Sequence, residues 1–262
     1  IGLLDDSIYA YKKALSINPN SSEVYSNIGV ALKKQGRLDD AIKAFKKSIS
    51  LTPDYFLVYN NLGNALKDQG RLHDALEAYK KALSLKSDYP DAYSNMGNVF
   101  KDQGKLDKAI QAYKTSILLK PNYAEVHYNM GIALNDQGKF DEAVEFYNKA
   151  LLLKPDYAEA YNNKGLTLQE QGKLDDAIQS YNKALLLKPD YAEAFSNKGL
   201  ALLGKGKPEE SIEAHNKAIS LKPDYAEGHF NLSFSLLQTS RVKEGLDEYE
   251  WRWKTNKFLP LQ

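Results

Sequence analysis

Seven asparagines stand 34 residues apart in this chain of 262: Asn27, Asn61, Asn95, Asn129, Asn163, Asn197 and Asn231. A carboxamide offers both a donor and an acceptor, so a row of them can pair with the peptide groups of a polypeptide of any sequence. If equivalent helices lie ~8–10 Å apart and an extended chain advances ~3.3 Å per residue, one such Asn meets about every third residue of a bound peptide. The competing reading is that a polar residue merely suits a solvent-facing helix position. A carboxamide row selects no sequence, so selectivity must come from the residues one before, three after, and six or seven after each Asn. Towards the N-terminus these are Asn60, Asn64, Lys67, Ser94, Asn98 and Lys101, a polar and mildly basic set. Towards the C-terminus they are Leu166, Leu200, Leu203, Phe230, Phe234 and Leu237, an apolar set, with Tyr128 and Ile132 marking the change.

Residue types that do covalent or metal chemistry are sparse. The chain has no Cys, which excludes a disulfide scaffold, a thiolate metal site and a Cys nucleophile. Its four histidines are His73, His127, His215 and His229, and no two have metal-ligand spacing. His127, His215 and His229 occupy places where other segments carry Tyr or Phe, so they read as packing substitutes; His73 falls at a helix start. Phosphate-cradling and nucleophile-elbow glycine patterns are missing from the sequence. Neither catalysis, metal nor cofactor is expected of this segment.

The elements that position the asparagines follow from periodicity. Lys-Pro-Asn/Asp-Tyr-Ala-Glu begins at Lys120, Lys154, Lys188 and Lys222, one glycine series runs Gly36, Gly70, Gly104, Gly138, Gly172, Gly206, and another Gly29, Gly63, Gly97, Gly131, Gly165, Gly199, all at the same step. A 34-residue period signals a repeat architecture. The units are 22–55, 56–89, 90–123, 124–157, 158–191, 192–225 and 226–259, while residues 1–21 match only the second half of a unit. In 124–157, Val126, Met130, Ala133 and Leu134 share one helical face, and Phe140, Ala143, Val144, Tyr147, Ala150 and Leu151 line a second helix. Gly138 stops the first helix in the left-handed region and Pro155 ends the second. Gly131 admits the partner helix and Tyr147 fills the space beside it. The fold expected is all-α, a right-handed superhelical solenoid of antiparallel helix pairs, since one pair cannot bury both its faces.

These residues resemble the tetratricopeptide repeat, whose 34-residue pattern appears in 90–123 as Tyr93, Met96, Gly97, Phe100, Ala109, Tyr113, Ser116 and Pro121. The string Asp91–Asn98 is most similar to the superhelical repeat region of O-linked N-acetylglucosamine transferases. That resemblance implies an asparagine ladder on a concave surface that grips an extended polypeptide. It would make the seven ladder asparagines the gripping residues; with Asn64, Asn98, Lys67, Lys101 and Tyr128, presented beside them by helix position, they form the expected peptide-binding set. The clamp for a C-terminal carboxylate found in some family members is not matched: its lysine places hold Asn60, Ser94, Tyr128, Glu125, Glu159 and Glu193. Those glutamates suit a helix first turn, and Lys164 and Lys198 read as lysines packing by their stems.

Charge and ends complete the expectation. With 35 basic and 34 acidic residues the net charge is +1, which argues against a nucleic-acid partner, and no apolar run approaches a membrane span. The partners expected are proteins or extended peptides. A lone second helix at 1–21 suggests that further units precede it and offers an end-to-end contact with a second copy. In the last unit Ser233, Ser240, Gly245 and Arg252 replace pattern residues, and Glu248–Trp253 holds both tryptophans. That string reads either as a cap on 192–225 or as the approach to a glycosyltransferase-type domain. The apolar face of Phe230 and Phe234 is expected to be covered either by residues 254–262 folding back or by another domain. The function expected is polypeptide binding, as the docking arm of a glycosyltransferase or as a free-standing scaffold.

Overall fold

The computed structural model describes residues 2–255, and among them the only regular secondary structure is helical. They fall into two compact units, divided between residues 122 and 123. In the first, α1 (Gly2–Ile17) precedes three antiparallel pairs: α2 (Ser22–Lys34) with α3 (Leu38–Leu51), α4 (Phe56–Asp68) with α5 (Leu72–Leu85), and α6 (Pro90–Asp102) with α7 (Leu106–Leu119). In the second, α8 (Ala124–Asp136) pairs with α9 (Phe140–Leu153), α10 (Ala158–Glu170) with α11 (Leu174–Leu187), α12 (Ala192–Gly204) with α13 (Pro208–Leu221), and α14 (Ala226–Gln238) with the short α15 (Val242–Tyr249). A 3-10 turn, Glu250–Lys254, follows α15. The fold is all-α, stacked helix pairs of the expected kind.

Two glycines per pair fix its geometry. The turn glycine has φ between 69° and 80° in six pairs, and the chain reverses by a helix-ending bond pattern, as where Lys139 N donates to Leu134 O at 2.9 Å and Gly138 N to Asn135 O at 2.8 Å. The helical glycine is needed for contact. A Cβ on Gly29, Gly63, Gly97, Gly131 or Gly165 would lie 2.4–2.6 Å from Cε1 of Phe45, Tyr79, Tyr113, Tyr147 or Tyr181. Those rings are fully buried between the two helices of their pair. In α13 the ring is His215, also fully buried, with no hydrogen-bond partner on either nitrogen. Burial pushes its pKa down to about 4, so it is a neutral packing group, as its place in the pattern predicts.

Polar side chains join neighbouring pairs. Gln35 donates to Asp5 at 2.8 Å, Gln69 to Asp39 at 2.7 Å and Gln171 to Asp141 at 2.8 Å. Where a small residue is expected in the second helix, Ser48 and Ser116 donate to the carbonyls of Ser22 and Pro90 (2.6 and 2.8 Å), tying the start of the first helix to the end of the second.

The final unit departs from the repeat pattern. Ser240 takes the turn at φ 61° without being glycine. Trp251 stacks flat on His229 of α14, with ring centroids 3.9 Å apart and planes 4° apart. His229 Nδ1 faces Glu248 Oε2 at 2.5 Å and Nε2 faces Pro223 O at 3.0 Å. Phe230 and Phe234 pack on Tyr249 of α15, with centroids at 5.5 and 6.3 Å. The tail residues 256–262 lie outside the described residues.

Candidate polypeptide-binding groove

Each ladder asparagine sits at the same place on the first helix of its pair, half-buried. What the sequence did not disclose is where its carboxamide goes. In the first unit Asn95 Nδ2 donates to Asn60 Oδ1 at 2.9 Å. In the second, Asn163 Nδ2 donates to the Tyr128 hydroxyl at 2.8 Å, Asn197 Nδ2 to Asn162 Oδ1 at 3.0 Å and Asn231 Nδ2 to Ser196 Oγ at 3.1 Å. The acceptor is always the residue just before the preceding ladder asparagine. One amide proton is therefore spent joining consecutive helices. The oxygens of Asn95, Asn197 and Asn231 make no side-chain hydrogen bond among the described residues, whereas Asn162 reaches Asn163 Oδ1 at 3.3 Å. Asn27 and Asn61 make no side-chain hydrogen bond among the described residues, so both ends of their carboxamides are open.

This pattern corrects part of the expected lining. Asn60 and Ser94, at 5% exposure, face inward as acceptors or fillers and present nothing to a ligand. Asn64 and Asn98 are half-buried, and each accepts from a packed tyrosine hydroxyl, Tyr79 and Tyr113, at 2.7 Å. Their oxygens hold the core in register. Tyr128 is half-buried, packs on Tyr157 with centroids 4.7 Å apart, and has its pKa raised by burial. Lys67 is half-buried, and Lys101 lies 3.6 Å from Asp102.

The structure does gather ladder asparagines with the apolar end of the expected lining. Asn197 and Asn231 line one cavity of about 170 Å³ with Leu200 and Phe230. Tyr225, Glu227 and Thr255 complete it; sequence reasoning singled out neither Tyr225 nor Glu227, whereas Thr255 belongs to the tail expected over Phe230. Glu227 continues the series of first-turn glutamates, which the structure otherwise pairs with lysines: Glu125 with Lys154 at 4.0 Å, Glu159 with Lys188 at 3.6 Å and Glu193 with Lys222 at 3.5 Å. The same lysines lie over Tyr157, Tyr191 and Tyr225 at 4.5, 4.5 and 5.1 Å. The Lys-Pro-Asp-Tyr-Ala-Glu string is thus a local brace between units. Tyr225 carries that brace into the cavity, and burial with the nearby Glu227 raises its pKa to about 12, so it stays a neutral donor.

The arrangement offers hydrogen-bonding groups of fixed direction next to an apolar wall, which suits a peptide group and the side chain beside it. No cluster of acidic and His residues fit to hold a metal occurs among the described residues. His127 is buried and stacks on Phe146 at 5.9 Å, and His73 is exposed beside Asp74. Lys164 is half-buried, its pKa lowered by desolvation, which fits the expected packing by its stem. No described helix is long and apolar enough to cross a membrane.

Comparison with known families finds the model described as "TPR repeat" on residues 2–36, 31–70, 63–104 and 97–138, and that described as "Tetratricopeptide repeat" on 122–190 and 156–224. Among curated proteins nothing matches. Among solved structures, YrrB, described as a TPR protein with an unusual peptide-binding site, is 27% identical with a TM-score of 0.59, covering 71% of this chain and 96% of its own. MamA of Desulfovibrio magneticus RS-1 is 26% identical with a TM-score of 0.58, covering 64% of this chain and 97% of its own. A chain of the APC/C hetero-tetramer Cut9–Hcn1 shares the fold at a TM-score of 0.76 over 89% of this chain, with 19% identity; the match covers 46% of that longer chain.

Proposed function

Because the chain belongs to the tetratricopeptide repeat family, we propose that it is a non-catalytic protein-interaction module that binds extended polypeptide along its ladder asparagines. The observation that carries this reading is the cavity in which Asn197 and Asn231 meet Leu200 and Phe230. There the backbone of a ligand would pair with the carboxamide oxygens while an apolar side chain fills the space between Leu200 and Phe230. The internal bond of each Nδ2 supports the reading, because it fixes the carboxamide plane before a ligand arrives and lowers the entropy cost of binding. The peptide-binding site of YrrB, at 27% identity, is a further support from a relative. The finer reading is that this arm docks substrates for a glycosyltransferase in a longer chain, and it rests on the Asp91–Asn98 and Glu248–Trp253 strings. The alternative is a scaffold that assembles partners without any transferase.

The test is selection of peptides from a random displayed library on the full chain, followed by titration of the selected peptides against N197A/N231A. Losing two hydrogen bonds of about 1 kcal/mol each should weaken binding by about 30-fold. Unchanged Kd values in a variant with a native circular-dichroism spectrum would sink the proposal.

A further inference from the structure

The near-neutral total charge conceals a division. Residues 1–122 hold 18 lysines and arginines against 13 acids, while residues 123–262 hold 17 against 21. Part of the excess of the first unit lines a cleft that carries no acid. Between α5 and α7, over α6, lies a cleft of about 550 Å³, a size within the ~300–1,000 Å³ range of ligand-binding clefts. Its floor includes Tyr93, Met96 and Phe100 of α6, all half-buried, and its rim carries Lys80, Lys105 and Lys108 with no acid among its lining residues. Tyr93, Met96 and Phe100 follow i, i+3, i+7 and so share one side of α6, turned away from Asn95. The cleft is therefore a surface separate from the ladder.

The equivalent clefts of the other pairs act as internal comparisons. The one over α12 has the same construction, but Lys198 and Lys217 face Glu210 and Glu213, and its volume is about 270 Å³. The one over α2, about 350 Å³, is again basic, with Lys12, Arg37, Lys43 and Lys47 against Asp40. A basic rim is thus not demanded by the packing of a helix pair. The existing partners of the rim lysines are weak. Lys80 lies 2.7 Å from Glu77 in an exposed pair, Lys105 donates to Gln103 at 2.7 Å, and Lys108 stands 6.0 Å from the Phe100 ring centre.

We propose that the cleft over α6 is a second docking site, for an acidic segment of a partner protein with apolar anchor residues. The anchors would displace water from Met96 and Phe100, and the carboxylates on either side would meet the three lysines. An apolar floor is what distinguishes this ligand from a nucleic acid. A phosphate backbone would use the lysines without filling the hollow, whose lining includes the aliphatic Leu76, Met96 and Ala112.

The probe is a fluorescein-labelled twelve-residue peptide of Glu, Leu and Phe, followed by anisotropy with the full chain at low salt. Matched probes carry Gln for every Glu, or Asp alone without apolar residues, and an oligothymidylate of equal length represents nucleic acid. The Glu–Leu–Phe probe should bind at least about tenfold more tightly than each of the others, because both terms are needed. The K105E/K108E variant should lose at least about tenfold in affinity, while K149E/K183E, which makes the same charge change on exposed positions of the second unit, should bind as the parent does. Equal binding of the Gln probe, of the Asp probe or of oligothymidylate would overturn the proposal. So would affinity that survives K105E/K108E, which would place the peptide on the ladder, or affinity lost equally in K149E/K183E, which would reduce the effect to overall charge.

Discussion

Asn95 and Asn61 occupy the same place in consecutive repeats, yet their replacement should have unequal consequences for stability. Asn95 Nδ2 donates at 2.9 Å to Asn60 Oδ1, and Asn60 is 5% exposed. Asn95→Ala removes that donor and leaves a buried carbonyl oxygen without its partner, at a cost of about 1–3 kcal/mol. Asn61 is half-buried and makes no side-chain hydrogen bond among the described residues, so Asn61→Ala leaves nothing stranded and should stay within about 0.5 kcal/mol of the parent. In peptide binding the order need not follow, since the Asn61 carboxamide has all its capacity available for a ligand. The assay is urea denaturation followed by helical circular dichroism, with the two variants and the Asn60→Ala/Asn95→Ala double variant. The double variant should recover part of the loss, because the stranded oxygen is gone. Equal stability of the two single variants would refute the view that the ladder joins neighbouring repeats.

Gly97→Ala should destabilise by about 1–3 kcal/mol through overpacking, since its Cβ would sit 2.4 Å from Cε1 of Tyr113; a thermal melt of the variant checks this. Ser240→Gly should raise stability by about 1 kcal/mol, as Ser240 holds φ 61°, and an unchanged denaturation midpoint would contradict that. His215 has a folded pKa of about 4 against an ordinary 6.5, so the unfolded chain binds the proton more readily between those values. Stability is therefore full above pH 6.5 and falls by about 3 kcal/mol as pH drops to 4. His215→Phe should remove that component, which paired denaturation curves at pH 7 and 5 would reveal.

The fold was legible because its determinants are local and repeated. Gly138 at a turn and Gly131 against Tyr147 state their geometry in any single repeat, and the period states it again in the next. The site was less legible because hydrogen-bond direction is not a property of residue type. Nothing in the letter Asn says that Asn95 turns one proton inward to Asn60, or that Asn64 gives its oxygen to Tyr79. A 35-residue offset between ladder Asn and acceptor was nevertheless present to be seen: Asn95 with Asn60, Asn197 with Asn162, and Asn231 with Ser196 all pair a ladder residue with a small polar one. Thr255 lines the cavity from the end of a 3-10 turn whose repeat pattern has decayed. Where the period fails, so does the inference drawn from it.

Composition taken over the whole chain says little about any one repeat. A net charge of +1 argues against strongly charged partners only if charge is spread evenly. In a stack of repeats each unit exposes its own surface, and screening limits charges to a range of about 10 Å at 0.1 M salt. Lys105 and Lys108 therefore act on whatever approaches α6 and α7 whether or not glutamates accumulate on α13. The same independence lets the helix pairs diverge in surface while conserving their packing. Met96 and Lys198 fill one position in two repeats, and the cleft above the first is apolar and basic while that above the second is balanced in charge. A partner distinguishes such repeats by these outer positions, since the ladder asparagine is the same in all of them.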